Sequence, residues 1–186
     1  MSNNKKLIIA VVALSLALCC AIGGTLAYLR DVTNTVTNTF TYGDIIISLD
    51  ETENLDLKMV PGNTIAKDPT VTVDLTSEAC YLFVKIDEST ALKQYITYEV
   101  NEDWEPLKID GQTVAGVYYM TLETIPTDNT FSILQDDEVT VLTSVTKEMM
   151  KAVKDNPTLV QLSFTAYAVQ LDNLDLKGAW NIALGG

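Results

Sequence analysis

At 186 residues, 47% hydrophobic and with a formal charge of −13, the chain has the apolar content for one sizeable core and a surface that repels nucleic acid and anionic lipid. It contains no histidine, which removes Ser-His-Asp triads, Cys-His pairs, His-x-x-x-His zinc sites and histidine general bases in one step. It also lacks a Gly-rich phosphate loop, a Cys-x-x-Cys pair and an Asp-Thr-Gly triplet.

The first 27 residues read as an export segment. Lys5 and Lys6 form a positive n-region, Leu7 to Ile22 an apolar core, and Thr25-Leu26-Ala27 the small-x-small pattern that a signal peptidase accepts. The cut is expected after Ala27, which makes Tyr28 the first mature residue and leaves roughly 159 residues, enough for one globular unit. Every acidic residue lies after the cut while Lys5 and Lys6 lie before it, so the mature charge is about −15. Left uncleaved, about 23 uncharged residues from Leu7 to Leu29, at ~1.5 Å each, would instead span a bilayer as a retained anchor. A lipoprotein is disfavoured because Leu18 precedes Cys19 and Cys19 precedes Cys20, where a small residue is needed.

From Tyr28 to Thr41 the chain is polar yet strongly β-prone, and Thr33-Asn34-Thr35-Val36 is repeated as Thr37-Asn38-Thr39-Phe40. Extended, it sets Val32, Val36 and Phe40 on one face and five threonines on the other. Lacking Pro and Gly, the segment suits addition to a sheet edge, its own or a neighbour's; heterologous addition that does not close makes a filament. We therefore divide the chain into a signal peptide (1–27), a donor-strand-like segment (28–43) and a β-sandwich domain (44–186).

Ile45, Ile47 and Leu49 open the first patterned strand. The acidic connector from Asp50 to Asp56 lacks the Gly and the terminal Glu of an EF-hand and reads as a solvated turn. Pro61-Gly62 marks a tight turn, and after Asp68-Pro69 the residues Val71, Val73 and Leu75 alternate with polar ones as a half-buried strand. Tyr81 to Asp87 suits a central strand, and Cys80, the lone mature cysteine, shares a face with Leu82, Val84 and Ile86 as a buried small hydrophobe rather than a reactive thiol.

Ser89-Thr90 is expected to cap a short helix over Ala91 to Tyr95. Tyr95 to Val100 and Trp104 to Ile109 read as strands, and Asp110-Gly111 signals a type I′ hairpin into Val114 to Leu122. Two short strands follow, Phe131 to Leu134 and Glu138 to Leu142. The clearest helix starts near Thr146 and sets Met149, Met150 and Val153 opposite Lys147, Lys151 and Lys154, stopping at Asn156-Pro157. A long last strand is expected to begin at Leu159, with Val160, Leu162, Phe164, Ala166 and Ala168 inward, and Leu176 to Leu184 to form a short terminal helix. Many short strands with one good helix argue for an all-β fold, an antiparallel β-sandwich of jelly-roll type with one or two short helices.

Gly23-Gly24-Thr25-Leu26-Ala27-Tyr28 with Asp31, then Asn38 to Asp44 leading into Ile45, Met59-Val60-Pro61-Gly62, and Tyr167-Ala168-Val169-Gln170 resemble, in that order, the TasA/camelysin family, the substrates of SipW-type signal peptidases. The resemblance implies the jelly-roll sandwich, cleavage by such a peptidase, and a secreted protein of the cell surface or extracellular matrix. It implies biofilm fibres built by an N-terminal donor strand, which places Val32, Val36 and Phe40 in that role. The camelysin branch is described as metalloproteases, but without histidine the resemblance carries no zincin site onto this chain; the reading calls for no catalytic residue, no metal and no cofactor. The expected partners are the signal peptidase, further copies of the chain and extracellular matrix components, with membrane contact only before cleavage. A secreted camelysin-like metalloendopeptidase and a singly displayed binding module, with Tyr81, Trp104, Tyr118 and Tyr119 as contacts, are the alternatives.

Overall fold

The computed structural model describes residues 45–52 and 59–185. Among these residues ten strands and two α-helices follow one another: β1 (Ile47–Asp50), β2 (Thr64–Ala66), β3 (Thr70–Val73), β4 (Cys80–Glu88), β5 (Ile96–Thr97), β6 (Glu105–Ile109), β7 (Gln112–Leu122), β8 (Thr130–Ser132), β9 (Glu138–Val141), α1 (Lys147–Asp155), β10 (Leu162–Gln170) and α2 (Leu176–Ala183). All pairings are antiparallel, in a four-stranded sheet β10-β4-β7-β6 and two three-stranded sheets, β1-β3-β8 and β2-β9-β5.

Two-residue alternation decides which side chains meet. Cys80, Leu82, Val84 and Ile86 of β4 and Leu162, Phe164, Ala166 and Ala168 of β10 join Ile47 and Leu49 of β1, Val71 and Val73 of β3, and Val139 and Val141 of β9 in one buried cluster. This inter-sheet core makes the fold an all-β antiparallel sandwich. β4 is its central strand, as its doubly apolar pattern requires, and Phe83 points to the opposite face of the sheet. There Phe83 meets Leu107, Val117, Val169 and the α2 residues Ala179, Trp180 and Ala183 in a second, smaller core.

The hairpin between β6 and β7 follows its turn chemistry. Asp110 and Gly111 have φ of 52° and 80°, and Ile109 pairs with Gln112 across them. Gly116 is required for a different reason: its φ is +70°, and a Cβ there would stand 2.5 Å from the Ile86 carbonyl oxygen. Both helices are capped by side chains, since Thr146 Oγ1 accepts from the Met149 amide and Asp175 Oδ1 from the Gly178 amide.

Several expected boundaries shift. Leu75 lies beyond the end of β3 and is exposed, because Asp74 accepts from the amide and hydroxyl of Thr76 and turns the chain. The helix expected after Ser89 is a single 3-10 turn, Leu92–Gln94; the Ser89 hydroxyl is drawn away to the Leu159 carbonyl and the Gln161 amide. Tyr95 to Val100 keeps only the two residues of β5 in a ladder, with one isolated bridge from Val100 to Leu134. The last strand begins at Leu162, not Leu159, since Pro157 opens a further 3-10 turn through Leu159.

Candidate functional site

Among the described residues the outermost strands of the four-stranded sheet are β10 and β6, and they differ in chemistry. β6 is guarded: it contains Pro106, which cannot donate to a ladder, Lys108, and a register shift between them. Glu105 at its start accepts from the Tyr119 hydroxyl at 2.9 Å, a bond that holds the phenol protonated to higher pH than usual. β10 carries the nine residues LSFTAYAVQ, with neither charge nor proline. Its inward residues are fixed in the main core, while Ser163 and Thr165 stand opposite Asp87 and Lys85 of β4. Tyr167 meets the Trp180 ring edge-on at 5.7 Å, so α2 braces β10 from the second face.

The acidic side chains are mostly engaged singly. Asp87 holds Lys85 at 2.8 Å, and Glu88 holds Lys93 at 3.1 Å and accepts from the Tyr98 hydroxyl at 2.6 Å. Both carboxylates lie at the end of β4. Asp136 and Asp137 lie in a 3-10 turn with φ of 57° and 53°, and the Asp137 Oδ1 atom is buried without a hydrogen-bond partner. Cys80 is fully buried, and that burial pushes its thiol up to about 11, so it is a core residue and a poor nucleophile. Trp104 is also core, its indole N–H donating to the Ser132 carbonyl at 2.9 Å, while Tyr81, Tyr118 and Tyr119 are partly buried against the two clusters.

Sequence reasoning missed one constellation. Lys67 is 6% exposed, and its Nζ lies 2.7 Å from Glu51 Oε1 and 5.4 Å from the centre of the Phe164 ring. Glu51 had been placed in a solvated connector, yet its side chain is only 10% exposed. The available signal was Lys67 itself, two residues after the inward Ile65 and therefore on the same face of an extended chain.

Among the described residues no helix is long and apolar enough to cross a membrane, and no three His, Cys, Asp or Glu side chains are grouped to hold a metal ion. The expected cleavage residues Thr25, Ala27 and Tyr28 and the donor-strand residues Val32, Val36 and Phe40 lie outside the described residues.

A family model described as camelysin metallo-endopeptidase matches residues 2–177, nearly the whole chain. The chain belongs to the camelysin family. TasA belongs to the same family. No curated protein and no solved structure matches the chain. The family description implies a catalytic metal, and the donor set of this camelysin-family chain does not fit a zinc peptidase centre: there is no histidine in the sequence, and no three of the described Cys, Asp or Glu side chains are grouped to hold a metal ion.

Proposed function

We propose that this camelysin-family protein is a secreted structural subunit that assembles into extracellular matrix fibres by strand addition of its segment 28–43 once the leader is removed. The observation that supports this reading most is the contrast between the outer strands, since a nine-residue strand free of charge and proline is the geometry to which an extended segment adds. The segment brings Val32, Val36 and Phe40 on one face, the spacing that fills alternate pockets along such a strand. It pairs with its own sandwich or with a neighbour's, and cleavage after Ala27 by a SipW-type peptidase is the switch, because a strand tethered at the bilayer does not reach another subunit freely.

The test compares protein beginning at Tyr28 with protein beginning at Gly43 by electron microscopy and sedimentation. Filaments from the first and none from the second are expected. Monomers from both, across pH, calcium and concentration, would sink the fibre reading and favour a singly displayed binding module. The family description supports a second reading, a metalloendopeptidase. Casein cleavage by the purified chain that chelation abolishes and zinc restores would establish it over the structural one.

A further inference from the structure

The Lys67 and Glu51 side chains are 7% and 10% exposed, and they meet at 2.7 Å beside the Phe164 ring. A buried ion pair gains little net stability, because desolvating two charges costs about as much as their attraction returns. The neighbouring residues fix the two chain segments on each other. The Thr52 amide and hydroxyl both donate to the Asp68 carboxylate, at 3.0 and 2.5 Å, and the Lys67 amide donates to the Asp137 carbonyl at 2.7 Å. An amine and a carboxyl are thus held together, shielded from solvent beside an aromatic ring, from two points close in space and sixteen residues apart in sequence.

We propose that Lys67 and Glu51 condense to an intramolecular amide, a covalent staple between the end of β1 and the β2–β3 connection. The ion pair and the neutral pair hold the same number of protons. Transfer of one proton from the Lys67 ammonium to the Glu51 carboxylate therefore yields a free amine and a carboxylic acid with no outside acid or base. The Nζ lone pair attacks Cδ, forming the Nζ–Cδ bond. The adduct breaks one C–O bond, and that hydroxyl leaves as water with a proton from Nζ, so no oxidant or reductant is consumed. Clamping supplies what free amines and acids in water lack, since well-oriented groups react at effective concentrations of about 10⁵–10⁸ M.

The fibre reading is not a premise of this proposal. It is tested by intact mass spectrometry, under denaturing conditions, of the chain isolated in its folded state, followed by trypsin digestion and peptide sequencing. The expected result is a mass one water below that of the sequence, no tryptic cleavage after Lys67, and a branched peptide joining the Glu51 and Lys67 fragments. Lys67→Arg and Glu51→Ala should each restore the full sequence mass. A wild-type mass equal to the sequence after prolonged incubation of folded protein overturns the proposal. So does a water loss that maps elsewhere, such as Asp110-Gly111. Both of these are read on wild-type protein, so a variant that fails to fold does not shield the idea.

Discussion

β10 and β6 close the same sheet, yet they end it in opposite ways. β6 is five residues long, holds a proline and a lysine, shifts register against β7, and is carried by a two-residue hairpin. β10 is nine residues long and uncharged; it is tied to β4 along its whole length and braced on its second face by α2. A sandwich that had to avoid association on both sides would guard both strands. On the fibre reading proposed above, guarding only one would confine strand addition to one side, which is how a head-to-tail fibre differs from an irregular aggregate.

The largest expected effect comes from giving β10 the kind of guard that β6 has. Ser163→Lys with Thr165→Glu charges the strand while matching Asp87 and Lys85 opposite, so folding stability should stay within about 0.5 kcal/mol of wild type. Filaments seen by electron microscopy should disappear; filaments at wild-type yield would refute the role assigned to β10. A matched change on β6, Lys108→Thr, should leave them unaltered.

Next comes the brace. Phe83 is fully buried, its ring 5.2 Å from that of Trp180, and Phe83→Ala should cost about 3–5 kcal/mol in urea unfolding, since little around it can collapse into the space. Gly116→Ala tests the bulged side of the sheet. With φ of +70° and the Ile86 carbonyl in the way, it should lose about 1–3 kcal/mol, whereas a stability equal to wild type would show that β7 moves off β4 freely.

Alkaline titration sharpens the picture of the central strand that both outer strands depend on. Burial raises the Cys80 thiol from 9.0 to about 11, so the unfolded chain loses its proton first. The stability from keeping this thiol neutral is complete below pH 9.0 and is lost as pH rises through about 11. Tyr98, raised by burial and by its bond to Glu88, acts with the same sign. Thermal midpoints should fall across this window, with less of a fall in Cys80→Ala, and Cys80 should resist iodoacetamide at pH 8 until the chain is unfolded. The smallest effect belongs to the exposed Lys177–Asp110 pair at 2.6 Å, which links α2 to the β6–β7 hairpin. Lys177→Ala should leave the midpoint unchanged in high salt.

Local chemistry alone determined much of this protein. The inward alternation of β1, β4 and β10, the Asp110-Gly111 hairpin, the Thr146 cap and amphipathic α1, the terminal helix, the buried state of Cys80 and the camelysin resemblance were all legible. Each depends on neighbours in sequence or on a two- or 3.6-residue period. Only tertiary structure decided the rest. Ser89 left its helix to bond chain 70 residues away, Leu75 fell outside β3, and strand order alone made β10 and β6 the outer strands of one sheet. Lys67 and Glu51 read as an inward anomaly and a solvated acid. Their meeting beside Phe164 arises because β10 packs against β1 and sets Phe164 next to Lys67, a relation between distant segments that no local pattern encodes.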